Sequence, residues 1–280
     1  MHRIHRIFPL PLDILTPPKY KQVVFPAIMI KNSFVFLDGI GKNFERRLWK
    51  QGITDWNLFV KIKRIEGISN SRKLYYNRKL IEAEKALYNF DSPYFAKILP
   101  KSEYWRLYEF FKEDSVFLDI EVSSINEKGH ITVFGIYDGV NTKTMIKNIN
   151  LDFDALKKEL ENCKLLVTFN GSSFDIPFIK KRHPSILPDV PNFDIKSLTK
   201  KLRLNGGLKS IEKEIGIERK NGAVSNLCNG DPLRLWNMYK ASGDQYYLDL
   251  LVEYNEEDII NLKKIAEYCI EEMRTKLGIK

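Results

Sequence analysis

The chain has 280 residues, 44% hydrophobic and 12% aromatic, with a net charge of +9. That is long and apolar enough for a buried core in one large domain or two smaller ones, and no apolar run approaches the roughly 20 residues of a membrane span. The charge is uneven: through Lys112 there are 21 Lys and Arg against 10 Asp and Glu, and beyond it 24 against 26. The first part is a candidate polyanion-binding surface, and the second is near neutral. Cys163, Cys228 and Cys269 are too few and too widely spaced for a disulfide framework or a zinc knuckle, and a reducing cytoplasm fits them.

Residues 1–28 hold five of the twelve prolines and no helical or strand period, which predicts a flexible tail. Their prolines and Asp13 interrupt any signal-peptide core. Met29 opens the first structured stretch and is a candidate translation start.

Residues 29–112 read as a basic helical module. Gly39-Ile40-Gly41 predicts a tight turn that opens a helix over Lys42–Lys50, with Gly52 as its stop. Thr54 is the expected N-cap of a second short helix, Asp55–Val60. This stretch, about 36–60, resembles a helix-hairpin-helix element of the LxGIG type, and only one such hairpin is evident. The resemblance implies that the turn at Gly39 and Gly41 offers backbone N–H groups to a nucleic-acid phosphate, with Lys42 beside it. From residue 71 to 111, Leu74, Leu80, Ile81, Ala83 and Leu87 have helical spacing, and the aromatic run Trp105–Phe111 is expected to be core.

Residues 113–280 carry the acidic residues of interest. Val116–Val122 reads as a strand, so Asp119 and Glu121 share one face and Ile120 takes the other. Adjacent carboxylates repel and lose hydration when buried, and a divalent cation between them removes both costs. Ile131–Tyr137 is the second strand. Asp138-Gly139 predicts a two-residue hairpin into a third, Val140–Ile146. FDALKKELENC is an amphipathic helix with Phe153, Leu156 and Leu160 inward, followed by a continuously apolar strand, KLLVTFN. Three antiparallel strands, a helix and a buried strand give the order of a ribonuclease-H-like fold: a mixed five-stranded sheet, order 3-2-1-4-5, flanked by helices.

That fourth strand ends at Asn170, and Ser172 or Ser173 is the expected cap of the helix carrying Asp175. In the last long helix, Leu248, Leu251, Val252, Ile259, Leu262, Ile265 and Ala266 form one stripe. Steps of about 100° put Tyr254 and Asp258 on its margin, with Glu256 and Glu257 on the outer face. No Lys or Arg precedes Lys263 in that stripe to neutralise Asp258.

DIE at 119–121, NGSSFD at 170–175 and YNEED at 254–258 resemble, in order and separation, the three exonuclease motifs of the DEDD superfamily in its tyrosine subclass. VTFNGSSFDIPF, GGLKSIE and LWNMY extend the likeness to the YprB-type ribonuclease-H-like branch, over roughly 99–268. Val122-Ser123-Ser124 departs from that family's threonine-rich tail. The resemblance implies a 3′→5′ exonuclease in which Asp119, Glu121, Asp175 and Asp258 hold two Mg²⁺ or Mn²⁺ ions about 3.5–4 Å apart. Tyr254 would orient the attacking water, since a free phenol ionises near pH 10. Asn170 either shapes the strand–helix turn or contacts the site, Asp194 is a further acidic contact or a helix cap, and Lys209 is a phosphate contact or a solvated lysine. The implied partner is nucleic acid, DNA or RNA, through a single-stranded 3′ end. Two alternatives stand beside this: a non-catalytic nucleic-acid-binding module, and a structure-selective endonuclease on the same fold.

Overall fold

The computed structural model describes residues 29–126, 128–219 and 231–278; the expectations for the tail, 1–28, and for Cys228 lie outside these. Four α-helices come first: α1 (Lys42–Lys50), α2 (Trp56–Lys61), α3 (Asn70–Tyr88) and α4 (Ser92–Ile98). A 3-10 segment, Lys101–Leu107, and α5 (Tyr108–Phe111) lead to the sheet. The sheet comprises β1 (Ser115–Val122), β2 (Ile131–Tyr137), β3 (Thr142–Ile146), β4 (Leu165–Thr168) and β5 (Asn192–Asp194) in the order β3-β2-β1-β4-β5. β1 pairs antiparallel with β2 and parallel with β4, the expected ribonuclease-H-like arrangement. Among the described residues the helices of this part are α6 (Phe153–Glu159), α7 (Asp175–Arg182), α8 (Ile195–Leu202), α9 (Leu208–Glu214), α10 (Pro232–Ser242) and α11 (Gln245–Leu277).

The period-2 pattern of β1 decides what packs on each face. Val116, Leu118 and Ile120 join Leu156 and Leu160 and Phe178 and Ile179, the apolar residues of α6 and α7 with the residue that follows α6. Phe117 joins the core that includes Leu262 and Ile265 of α11. Asp119 and Glu121 therefore face α11. The same core runs back through Trp105, Phe59 and Met29, so the helical region and the sheet share one continuous apolar interior.

Trp105, Tyr108 and Phe111 are buried, as expected of core aromatics. Leu74 and Ile81 are not: they are 66% and 44% exposed, because α3 packs through the face of Tyr76, Leu80, Ala83 and Leu87. Thr54 is not the cap of α2. Asp55 takes that place, its carboxylate accepting from the Leu58 N–H at 2.9 Å. The β2–β3 connection is longer than two residues. Tyr137 pairs with Thr142, and Asp138 Oδ1 accepts from the N–H groups of Val140 and Asn141 to close the loop.

The helical region also holds a second hairpin that the sequence reading missed. In the first, the Ile40 N–H donates to the Leu37 carbonyl at 2.9 Å, Gly39 takes φ +78°, and Gly41 caps α1. In Ile65-Glu66-Gly67-Ile68-Ser69 the same bond runs from Ile68 to Ile65 at 3.1 Å, Gly67 takes φ +80°, and Ser69 caps α3. Ser69 Oγ accepts from the Arg72 N–H at 3.3 Å, a capping bond that the glycine it replaces could not make.

Candidate active site

Asp119 and Glu121 project from β1 just before a register shift between Glu121 and Val122, and α11 brings Asp258 over them. One carboxylate oxygen of each lies within 4.8 Å of the others. Asp175, at the first turn of α7, does not join this trio. Its Oδ1 accepts from the Ile120 N–H at 3.2 Å, which clamps the backbone between the two β1 carboxylates. Its charge still reaches both of them.

Burial raises the pKa of Asp119 well above the ordinary value, and the charges of Glu121, Asp175 and Asp258 add to this. Burial does the same to Glu121, with Asp258 and Asp175 as the next contributors. Asp175 and Asp258 are each pushed up to about 6, in both cases chiefly by burial. Three converging, partly dehydrated carboxylates suit a hard divalent cation, which takes oxygen ligands and removes their mutual repulsion. The donor set therefore fits Mg²⁺ or Mn²⁺.

Two contacts to these carboxylates were not legible in the sequence. Asn255 is fully buried and donates from Nδ2 to Asp119 Oδ2 at 2.9 Å. Arg219, just beyond α9, pairs with Asp258 Oδ1 through Nη2. Its Nε and Nη2 also donate to Glu212, whose second donor is Asn261 Nδ2 at 3.0 Å. Asp258 thus has a cationic neighbour after all, from another element. Burial disfavours the Arg219 charge, but the bond to Glu212 and the charge of Asp258 outweigh it and raise its pKa.

Tyr254 faces the same cluster. Lys209 Nζ lies 4.5 Å from its ring centre and the Arg219 guanidinium 5.4 Å. Burial, followed by the charges of Asp258, Glu121 and Asp119, raises its pKa, so the phenol keeps its proton. Lys209 has its pKa lowered by burial and by Arg219, while Asp258 and Glu121 partly oppose this. Glu256 and Glu257 are not on an outer face. Both are half-buried: Glu256 Oε1 accepts from Thr144 Oγ1 of β3, and Glu257 lies 4.0 Å from Arg219, because α11 lies across the sheet.

The turn after β4 is built differently from expectation. Neither Ser172 nor Ser173 caps α7; Phe174 holds the cap position with no side-chain bond. Asp194 secures the turn instead, accepting from the Asn170 N–H at 2.8 Å and the Ser172 N–H at 3.1 Å, and it caps α8 through the Lys196 N–H. Asn170 takes φ +64°, a left-handed conformation asparagine tolerates. Gly171 follows because a Cβ there would lie 2.4 Å from Thr168 Oγ1.

Of the hairpin residues, Gly39 and Gly41 are exposed at the turn. Lys42 Nζ pairs with Glu103 Oε1 at 2.9 Å.

The sheet order, the flanking helices and the carboxylates converging from β1 and α11 define a ribonuclease-H-like protein. Residues 116–270 match the family RNase_H_2, described as RNase_H superfamily, and the chain belongs to it. Among solved structures, NrnC of Brucella melitensis is 19% identical, over 59% of this chain and 78% of its own length, with a TM-score of 0.37. A search of the curated proteins returned no match. Membership of this superfamily supports a nuclease, with nucleic acid as its substrate. Among the described residues no helix is long and apolar enough to cross a membrane.

Proposed function

We propose that the chain is a metal-dependent 3′→5′ exonuclease of the DEDD type, tyrosine subclass, YprB-like, in which the helical region, 29–112, feeds substrate to a nuclease domain, 113–280. The observation that carries this is the convergence of Asp119, Glu121 and Asp258, drawn from a strand and a distant helix, to within 4.8 Å. Asp119, Glu121 and Asp258 would hold two Mg²⁺ or Mn²⁺ ions, with Asp175 completing the charge and fixing the β1 backbone. When bound, such ions acidify a water for attack on phosphorus and neutralise the leaving 3′ oxygen.

The chain's own residues supply the rest. Tyr254 keeps its proton and so serves as a hydrogen-bond donor that aims the attacking water, not as a base. Lys209, beside Tyr254, offers positive charge to the phosphate, and Asn255 holds the Asp119 carboxylate in a single orientation. Asn170 shapes the turn that leads from β4 into α7.

The experiment is a degradation panel of matched single-stranded DNA and RNA oligonucleotides, labelled at each end, in Mg²⁺, Mn²⁺ or EDTA. The wild type should release mononucleotides from the 3′ end. Asp119→Ala and Asp258→Ala should each abolish cleavage while leaving binding in EDTA largely intact. Near-full activity in either variant sinks the site. Cleavage of a circular single strand would assign an endonuclease instead.

A further inference from the structure

The end of α2, the segment Ile62–Arg64 that follows it and α3 line a cleft of about 420 Å³ that no part of the proposed chemistry uses. Its lining includes Lys61, Lys63, Arg64, Lys73, Asn70 and Asn77, and no carboxylate. None of its four cations forms an ion pair within 4 Å among the described residues.

Lys73 is the unusual member. It is 4% exposed, yet its ammonium meets only neutral acceptors: Asn77 Oδ1 at 2.5 Å, the Val60 carbonyl at 3.5 Å, and the Phe59 ring at 4.8 Å. A buried charge held only by dipoles remains costly, and an opposite charge close by is what offsets it. Burial lowers the Lys73 pKa in accord with this. Lys61, Lys63 and Arg64 are exposed around it, so one charge sits at the base of the cleft and three at its rim. Four cations with no carboxylate among them favour a ligand that carries several negative charges in a row, such as a chain of phosphates.

We infer that this cleft is a second nucleic-acid site, in which Lys73 takes one phosphodiester of the backbone and Lys63 and Arg64 take its neighbours. The inference rests on the proposed function only for the identity of the polyanion. Contacts of this kind are sequence-blind and salt-dependent, each phosphate contributing about 0.7–0.9 to the slope of log K against log salt.

The test measures binding of the full-length protein to a labelled oligonucleotide in EDTA, where cleavage does not intrude, across a salt series. Lys63→Glu/Arg64→Glu should weaken binding at least tenfold at low salt and reduce the slope by roughly 1.5. Lys73→Met, which keeps the buried stem, should weaken it at least threefold with circular dichroism unchanged. Wild-type binding in either variant overturns the inference. So does an equal loss in the control Lys157→Glu/Lys158→Glu on α6, which would mark a general charge effect. Full competition by millimolar inorganic phosphate overturns it in favour of a free-anion site. A protein that binds through this cleft but degrades nothing would sink the proposed activity and leave the cleft standing.

Discussion

Asn255 Nδ2 donates to Asp119 Oδ2 at 2.9 Å, tying α11 to β1 at the first carboxylate of the site. The contact exists because Gly135, paired with Asp119 across the β1–β2 ladder, has no side chain. A Cβ at Gly135 would fall 1.9 Å from Asn255 Oδ1, which has no hydrogen-bond partner of its own. Gly135→Ala must therefore drive the Asn255 amide away from Asp119, by turning the side chain or by shifting α11 that carries it. Denaturant unfolding should show a loss of about 1–3 kcal/mol, and cleavage should fall as well, because Asp119 loses its anchor on the helix that also carries Asp258. A fully active Gly135→Ala would show that α11 does not need this seat.

Arg219 is the cationic partner of Asp258 when no divalent ion is present. Removing one member of a buried pair leaves the other uncompensated, at a cost of about 3–5 kcal/mol when burial is complete; Arg219 keeps 16% of its side-chain exposure, so a lower figure is expected. Arg219→Ala should lower Tm in EDTA, and Mn²⁺ should restore more of that loss than it adds to the wild type. Thermal melts of both proteins with and without Mn²⁺ provide the comparison. Equal Mn²⁺ shifts in the two would show that Arg219 and the ion do not compete for Asp258.

The metal-free protein should gain stability on mild acidification. Asp175 and Asp258, pushed up to about 6, bind more protons folded than unfolded. Their contribution is fully present below the ordinary carboxylate pKa and is lost as pH rises through about 6. Glu103 acts oppositely: burial would raise its pKa, but Arg106, Lys201 and Lys42 lower it to about 2, so its contribution declines only as pH falls below 4.5. Between pH 7.5 and 5 His130 and His183, whose pKa burial lowers, oppose this gain, while Asp119 and Glu121, also raised by burial, add to it; with four carboxylates against two imidazoles, Tm in EDTA should rise by roughly 3 °C. In saturating Mn²⁺ the trend should shrink or reverse, because protons then compete with the ion.

A buried ion network bolts the first hairpin to the rest of the molecule. Arg106 bonds Glu45 Oε2 and Glu103 Oε2, each at 2.9 Å, and Glu103 also meets Lys42 at 2.9 Å and Lys201 at 3.0 Å. Glu45 Oε1 in turn accepts from the Phe34 N–H at 2.7 Å. Arg106→Met leaves Glu45 and Glu103 buried with less compensation, and a loss of about 3–5 kcal/mol is expected by denaturant titration. The double variant Glu45→Gln/Arg106→Met should recover part of it. The engagement of Lys42 with Glu103 also means that Lys42→Ala should affect nucleic-acid affinity less than Lys63→Glu/Arg64→Glu does.

Much of the sheet was legible because strand period is local. Alternation along Val116–Val122 put Asp119 and Glu121 on one face, and the apolar stripe of the last helix put Asp258 on its inner margin. The second hairpin escaped notice because Ser69 stands where the first has Gly41, although a serine caps a helix at least as well. Thr54 and Asp55 are both good caps, and only the backbone path chose between them. The outward Leu74 and Ile81 show the limit of periodicity: it marks apolar positions on α3 without saying which of them another element covers.

The linear order of residues settled which side chains share a strand face or a helix margin, since those relations follow from the geometry of a few adjacent peptide units. It could not settle partnerships across the chain. Arg219 against Asp258, Asn255 against Asp119 over the bare backbone of Gly135, and Lys73 without a carboxylate all depend on where whole elements dock. Docking is decided by the apolar packing of many residues at once, and the charges meet wherever that packing brings them.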